Sequence, residues 1–196
     1  MGNILFATGN KGKAKEVKQI FKNSGFDILS LSDINFKEEI IEDGETFEDN
    51  AFIKAKAIYD KFKVPVIADD SGLEVDQLGG RPGIHSARYA GENCTYDDNN
   101  RKLLDELKFF DEPHPARFVC CAIYYDGQNK IVENGELKGN IISDKKGDKG
   151  FGYDPVFVPE NYDKTFAELE LEEKNKISHR AAAFKKLMES LVKKIS

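Results

Sequence analysis

Residues 66–73 read Val-Ile-Ala-Asp-Asp-Ser-Gly-Leu, an apolar run that ends abruptly in two carboxylates, a hydroxyl and a glycine. The pattern predicts a buried strand over 64–68 that delivers Asp69 and Asp70 to its carboxyl end. In open α/β sheets, ligands bind beyond the carboxyl ends of strands, and carboxylate oxygens there suit Mg²⁺. Asp-Asp-Ser-Gly is also good turn chemistry. This stretch alone is therefore compatible with both a metal site and a plain turn.

The first third of the chain alternates strands and helices around that stretch. Apolar residues predict strands over 4–7 and 26–31, with a helix between them that stops at Gly25, and they allow a further strand over 37–41. Thr-Phe-Glu-Asp at 46–49 resembles a capping box that opens a second helix. This order of elements predicts an α/β fold.

The remaining two thirds continue with both element types. The predicted elements are a loop over 79–83, a helix over 97–107, an antiparallel hairpin of strands 116–125 and 130–138, a short strand over 156–158, and a last helix from Ser178. The length allows one substantial core, and we expect a single domain over residues 1–196.

Composition restricts the classes of partner and the compartment. The net charge of -6, from 29 basic and 35 acidic residues, argues against a general grip on nucleic acid. Three cysteines do not make a disulfide framework, and Cys120 and Cys121 are expected to be core thiols. No apolar run is long enough to span a bilayer. We expect a cytoplasmic protein with neither a nucleic-acid nor a membrane partner.

Residues 8–13 read Thr-Gly-Asn-Lys-Gly-Lys and join the first strand to a helix N-terminus. Free backbone N–H groups and the helix dipole attract phosphate there, and Lys13 adds a mobile positive charge. The loop is not a Walker A motif, because Ala7 and Ala14 stand where glycine and Ser or Thr are required. The prediction is a phosphate-binding loop, with a plain strand-to-helix turn as the alternative.

An acidic segment at 38–45 can be read as a solvated edge, as most charge runs are. A carboxylate there could instead meet Asp69 or Asp70 and complete an Mg²⁺ site, since that ion takes few protein carboxylates plus substrate phosphates. Glu42 is the predicted ligand, with Glu39 in reserve.

Two further stretches are each only weak evidence for a ligand-binding site when considered alone. Ser178 is a good N-cap that places His179 and Arg180 in a first helical turn, where positive side chains oppose the dipole. Such a pair suggests recognition of an acceptor-rich ligand, or it is a surface pair with no role. Phe-Gly-Tyr-Asp at 151–154 suits stacking on a purine ring, although such aromatics more often pack under a loop.

Taken together, these stretches resemble the inosine triphosphate pyrophosphatase family, the non-canonical purine nucleoside triphosphate pyrophosphatases. The matching motifs follow the family's order over nearly the whole chain. They are Thr8-Gly-Asn-x-Gly-Lys-x-x-Glu16, Gly44-x-Thr-Phe-x-x-Asn-Ala51 with Lys54-Ala55, Asp69-Asp-Ser-Gly-Leu73, Pro82-Gly83 with Ser86-Ala-Arg88, Phe151-Gly-Tyr-Asp-Pro155 and Glu173-Lys-x-x-x-Ser-His-Arg180.

The resemblance implies Mg²⁺-dependent cleavage of ITP, dITP and XTP to the monophosphate and pyrophosphate. It also implies an elongated, two-lobed α/β fold around a long mixed sheet with flanking helices, a cleft between the lobes, and a homodimer. One departure from the family is that Ile41 stands where many relatives carry the first of two acidic residues.

The matched positions imply roles for individual residues. Asp70 would be the catalytic carboxylate and a metal ligand with Glu42, and Lys13 would stabilise the pyrophosphate leaving group. The implied substrate contacts are Thr8, Gly9, Asn10, Lys11, Gly12, Lys13 and Lys174 for phosphates, Ser71, and Phe151, Gly152, Tyr153, Asp154, His179 and Arg180 for the base.

Two other readings remain open at this point. One is a Maf-like enzyme that hydrolyses pyrimidine or modified nucleoside triphosphates, against which the Ser178-His179-Arg180 signature argues. The other is a nucleotide-binding sensor without turnover, against which the retention of Asp69, Asp70 and Lys13 argues.

Overall fold

A computed structural model describes residues 3–195 of the chain. The strands are β1 (Asn3–Phe6), β2 (Asp27–Ser30), β3 (Val66–Val75), β4 (His114–Tyr125), β5 (Lys130–Ile141) and β6 (Phe157–Pro159). The α-helices are α1 (Lys11–Ile20), α2 (Phe47–Phe62), α3 (Tyr96–Leu107), α4 (Leu171–Ile177) and α5 (His179–Ile195), with short 3-10 turns at Asp76–Leu78, Gly83–Arg88 and Phe166–Glu168. In this part of the chain, no helix is long and apolar enough to cross a membrane.

The strands form one mixed sheet in the order β2-β1-β3-β4-β5-β6. β1 is parallel to both β2 and β3, and β5 is antiparallel to β6. The predicted α/β fold with a mixed sheet and flanking helices is confirmed. The chain divides into two compact units, of which the first holds residues up to 70, 120–135 and from 179 onward, and the second holds residues 71–119 and 136–178.

The first unit covers both faces of its strands. Ile4 and Phe6 share a core cluster with apolar residues of α1 and α5. Leu5 and Ala7, which alternate with them along the chain, share another cluster with residues of α2. Because successive side chains of a strand point to opposite faces, the parity of a residue decides which helices it meets.

The second unit has its own core, built around three aromatic side chains. The ring centroids of Phe118 and Phe157 are 4.6 Å apart, and the Phe166 ring stacks on Phe118 at 5.8 Å. Leu73 and Leu103 are buried in the same cluster.

Helix starts and the hairpin turn agree with the sequence. Thr46 Oγ1 accepts from the Asp49 N–H at 3.0 Å, and the Asp49 carboxylate accepts from the Thr46 N–H at 3.1 Å, which is the predicted capping box. β4 and β5 are neighbours in the sheet, joined by a turn in which Asp126 Oδ1 accepts from the N–H groups of Gln128 and Asn129.

Two predictions about local structure were wrong. β3 does not end at Ala68 but continues to Val75, so the two carboxylates lie within a strand rather than at its end or in a turn. The strand continues because Leu73 and Val75 are buried in the core of the second unit. Residues 37–41 form no strand, and Glu38 there instead pairs with Lys61 of α2.

Cys120 and Cys121 are buried, as expected for core thiols. Burial raises the pKa of the Cys121 thiol to about 12, which keeps it protonated and unreactive.

Candidate active site

Asp69 lies on the face of β3 that packs against α1 and α5. It has the same strand parity as Ile67, which belongs to the core cluster of those two helices. Its carboxylate is 3.0 Å from the Lys13 Nζ and 3.3 Å from the Arg180 Nε, and its side chain is completely buried. A buried carboxylate at this position is therefore held between two cations.

Arg180 extends this network to a second carboxylate. Its Nη1 is 2.6 Å from Glu16 Oε2, and both side chains are buried. Burial by itself lowers the pKa of the guanidinium, but the charges of Glu16 and Asp69 outweigh it and raise the pKa above its ordinary value. With Lys13, the network contains two acidic and two basic side chains, so its formal charges balance.

Asp70 faces the opposite side of the strand, toward α2. Asn50 donates its Nδ2–H to Asp70 Oδ2 at 3.2 Å, and the Lys54 Nζ lies 3.7 Å from Asp70 Oδ1. The same Lys54 ammonium forms an ion pair with Glu42. Glu42 and Asp70 are thus placed on either side of one positive charge, whereas Glu39 is exposed.

The loop before α1 is fixed by its own side chains. Asn10 is the N-cap, and its Oδ1 accepts from the N–H groups of Gly12 at 2.9 Å and Lys13 at 3.1 Å. These two N–H groups are therefore not free, contrary to the sequence expectation of unbonded donors at this terminus. The first turn of α1 contains no acidic residue but two lysines, Lys11 and Lys13, so nothing in it neutralises the positive end of the helix dipole. The two lysines and the helix dipole therefore still favour the binding of an anion at this loop.

A second polar cluster lies in the second unit. The Lys174 Nζ is 2.6 Å from Asp154 Oδ2, with each side chain only 4% exposed. The ammonium also lies 4.9 Å from the centroid of the Phe151 ring and 5.0 Å from that of Phe166. Such cation–π contacts add to the ion pair and fix the ammonium beside the ring face.

The segment 151–154 is held at several points. The Phe151 N–H donates to Asp154 Oδ2 at 2.8 Å, and Asn100 Nδ2 donates to the Gly152 carbonyl at 2.8 Å. Tyr153 donates its hydroxyl to the carbonyl of Ser86, and burial raises the pKa of that phenol. The segment is therefore a rigid support for the half-buried Phe151 ring rather than a loose loop.

Residues 4–190 match the Ham1 family. The chain belongs to this family. It is 49% identical over 193 residues to the dITP/XTP pyrophosphatase of Bacillus subtilis (strain 168), which covers 97% of this chain and 98% of the relative. It is 50% identical over 189 residues to the dITP/XTP pyrophosphatase of Bacillus licheniformis, covering 95% of this chain and 96% of the relative.

Solved Ham1 structures agree with this fold. The Staphylococcus aureus Ham1 protein superposes with a TM-score of 0.85 at 40% identity, covering 98% of this chain and 99% of that one. A Coxiella burnetii HAM1 protein gives a TM-score of 0.88 at 33% identity, covering 98% of this chain and 100% of that one.

The structure brings several predicted site residues of this Ham1 chain together. Lys13 meets Asp69, Glu42 shares a cation with Asp70, and Lys174 meets both Phe151 and Asp154. The remaining predicted substrate contacts fall in different units. The segment 151–154, Lys174 and Ser71 belong to the second unit, whereas His179 and Arg180 belong to the first.

Three participants had no role assigned from the Ham1-like sequence pattern. All three are buried polar residues: Glu16 pairs with Arg180, whereas Asn50 and Lys54 contact Asp70. Asn50 and Lys54 are four residues apart on α2 and lie beside the apolar stripe that carries Ala51 and Ala55. Polar side chains at helical spacing next to a buried stripe are the signal that could have found them.

Proposed function

We propose that this chain is a Mg²⁺-dependent pyrophosphatase that hydrolyses non-canonical purine nucleoside triphosphates, namely ITP, dITP and XTP, to the monophosphate and pyrophosphate. The observation that carries the proposal is the pair of adjacent carboxylates, of which Asp69 is ion-paired to Lys13 and Asp70 shares the Lys54 ammonium with Glu42. The names of the Bacillus relatives support the same activity, and membership of the Ham1 family favours it over a Maf-like enzyme.

The residues around Asp70 fit a magnesium ion. A cation already lies between Asp70 and Glu42 in the form of the Lys54 ammonium, so their oxygens are oriented toward a common positive charge. Among residues 3–195, no group of three or more His, Cys, Asp or Glu could hold a metal. Two carboxylates would nevertheless be sufficient to hold Mg²⁺, because this ion is usually bound through one or two protein carboxylates together with water and substrate phosphates.

Each residue of the first unit has a distinct proposed task. Asp70 accepts a proton from the water that attacks the α-phosphorus. Lys13 neutralises charge on the departing pyrophosphate, while Asp69 holds the Lys13 ammonium in place. Asp70 and Glu42 would hold the Mg²⁺ ion, which would supply Lewis-acid stabilisation of the phosphate oxygens. The loop residues Thr8, Gly9, Asn10, Lys11 and Gly12 complete the triphosphate contacts.

The base would be recognised by charge and hydrogen bonding at its six-oxo edge. Hypoxanthine and xanthine present an O6 acceptor and an N1–H donor, whereas adenine presents the reverse pair. His179 and Arg180 are the proposed donors to this edge, whereas Lys174, which Asp154 holds beside the Phe151 ring, is a proposed phosphate contact. ATP would leave buried donors unpaired, which is a strong basis for discrimination. The remaining proposed contacts are Ser71, Gly152 and Tyr153.

Two further parts of the proposal rest on the family resemblance. The chain is proposed to act as a homodimer in the cytoplasm, and its task there is to remove damaged purine nucleotides from the triphosphate pool. Residues 1–196 are proposed to work as one catalytic domain.

A panel of nucleoside triphosphates tests the proposed activity. We expect pyrophosphate release from ITP, dITP and XTP with Mg²⁺. The kcat/KM for each should be at least about 100-fold higher than the kcat/KM for ATP. Chelation of the metal by EDTA should stop the reaction. Orthophosphate as the sole primary product from ITP, or equal rates with ATP and pyrimidine nucleotides, would contradict the proposal. A protein that binds ITP without turnover would be the sensor instead.

Lys13→Ala is expected to impair turnover more than folding. Its ammonium contributes to charge stabilisation, so kcat/KM for ITP should fall by about 100-fold. Asp69 keeps Arg180 as a partner, so the free energy of unfolding should drop by only about 1–2 kcal/mol. Lys15→Ala, which removes an exposed lysine of the same helix, is the matched control. A Lys13→Ala enzyme with the catalytic efficiency of the control would rule out this role.

A further inference from the structure

The side chain of Asn50 connects two segments of the first unit that carry carboxylates. Its Nδ2 donates to Asp70 Oδ2 at 3.2 Å, and its Oδ1 accepts from the Gly44 N–H at 2.9 Å. Only 1% of the residue is exposed. One buried amide thus links Asp70 of β3 to the backbone two residues after Glu42.

The approach of Gly44 to Asn50 requires a glycine. A Cβ on residue 44 would lie 2.5 Å from the Asp49 Cβ and 2.8 Å from Asn50 Oδ1. Distances this short cannot be relieved without moving the backbone of the segment. The position of Glu42 relative to Asp70 is therefore set by a tight contact.

Lys54 connects the same two segments in a different way. Its ammonium lies between Glu42 and Asp70. Its positive charge would repel a metal ion bound by the same two carboxylates. Asn50 is uncharged, so its two hydrogen bonds are electrostatically compatible with a divalent ion on the same carboxylates. A neutral link such as Asn50 can hold the spacing of Glu42 and Asp70 without repelling the metal ion.

We propose that Asn50 is a positioning residue that fixes the Glu42–Gly44 segment against Asp70 and thereby sets the affinity of the two carboxylates for a divalent cation. The inference rests on the proposed function in one respect, the assignment of Glu42 and Asp70 as metal ligands. Removal of groups that orient metal ligands typically costs 10–100-fold in metal affinity or activity.

The decisive measurement uses Mn²⁺ alone, titrated into nucleotide-free protein and followed by water proton relaxation. We expect Asn50→Ala to weaken Mn²⁺ binding by about 10-fold or more, and to lower kcat for ITP at saturating Mg²⁺. Gly44→Ala should act in the same direction. Both substitutions disrupt the same contact between Gly44 and Asn50. The double variant should therefore bind Mn²⁺ only slightly more weakly than the weaker-binding single variant.

Asn99→Ala is the matched control for loss of a buried amide. Asn99 is likewise buried and links two backbone groups, accepting from the Ala90 N–H at 2.7 Å and donating to the Ala87 carbonyl at 3.1 Å. Both variants should be destabilised to a similar extent, but only Asn50→Ala should lose Mn²⁺ affinity. Asn50→Ser, which retains a small polar group, replaces Asn50→Ala should the latter fail to fold.

The outcomes separate this inference from the proposed function. If the wild-type protein releases no pyrophosphate from ITP, the proposed activity fails, yet the Mn²⁺ comparison still tests Asn50. If Asn50→Ala binds Mn²⁺ as tightly as Asn99→Ala does, the positioning role is wrong. A wild-type protein that binds no Mn²⁺ at millimolar concentration would overturn it as well.

Discussion

Asp70→Asn should nearly abolish hydrolysis of ITP while leaving the protein folded. Loss of a general base costs about 10²–10⁴-fold, and loss of a charged metal ligand adds to that. We therefore expect kcat/KM to fall by at least about 1,000-fold. The effect should appear in kcat, because proton transfer and charge stabilisation are needed chiefly in the transition state.

The contacts of Asp70 explain why the fold should survive this change. An asparagine carbonyl can still accept from Asn50 Nδ2, the nearer of the two contacts. The Lys54 ammonium lies 3.7 Å from the other oxygen, and it retains Glu42 as a partner. Thermal unfolding of the variant should stay within a few degrees of wild type, and binding of ITP should remain measurable by calorimetry.

Asp69→Asn is the control, because its carboxylate points to the other face of the same strand. It should affect stability and the placement of Lys13, and lower turnover less than Asp70→Asn does. An active Asp70→Asn variant beside an inactive Asp69→Asn variant would show that the wrong carboxylate was assigned. Activity in both would place the chemistry elsewhere in the protein.

The two carboxylates face opposite sides because both lie within β3, where successive side chains alternate. The helix start at Thr46 was predictable, since a capping box needs only four consecutive residues. The same motif at Thr95 was not recognised, and the helix expected over 97–107 begins at Tyr96. The end of β3 was not predictable from its neighbourhood. Its continuation to Val75 depends on a second core, assembled from residues far away in the chain.

Contacts between residues far apart in the chain also explain why part of the site could not be predicted from the sequence. The basic pair His179 and Arg180 in the first turn of α5 suggests an acceptor-rich ligand when only the sequence is considered. The structure gives Arg180 two protein carboxylates, one of them on a residue 164 positions earlier. No local pattern connects Glu16 with Arg180, and only the packing of α1 against α5 does so. Base recognition by Arg180 therefore remains a prediction that has to be tested apart from this structural role.

Arg180→Ala is expected to destabilise the protein strongly. The change removes the cation between Glu16 and Asp69, whose side chains are 3% and 0% exposed. Removing one partner of a buried ion pair typically costs about 3–5 kcal/mol, because an uncompensated charge stays in the interior. For a chain of this size, the midpoint of thermal unfolding should fall by roughly 6–20 °C.

Charge, rather than lost packing, should account for most of that effect. Asp69 retains Lys13 at 3.0 Å, so Glu16 is the carboxylate left without compensation. Glu16→Gln in the Arg180→Ala background should therefore recover part of the lost stability, although Glu16→Gln alone destabilises. If the two changes were simply additive in denaturant unfolding, the ion pair would not be the cause.

The same pair of variants separates folding from base recognition. If Glu16→Gln restores stability to Arg180→Ala but the preference for ITP over ATP stays reduced, the guanidinium also contacts the base. Loss of one hydrogen bond from a charged donor is worth about 1.5–3 kcal/mol, or one to two orders of magnitude in selectivity. If the preference returns together with stability, Arg180 acts only by holding Glu16 and Asp69. Base reading would then fall to His179, and His179→Ala should reduce the ITP preference by a similar factor.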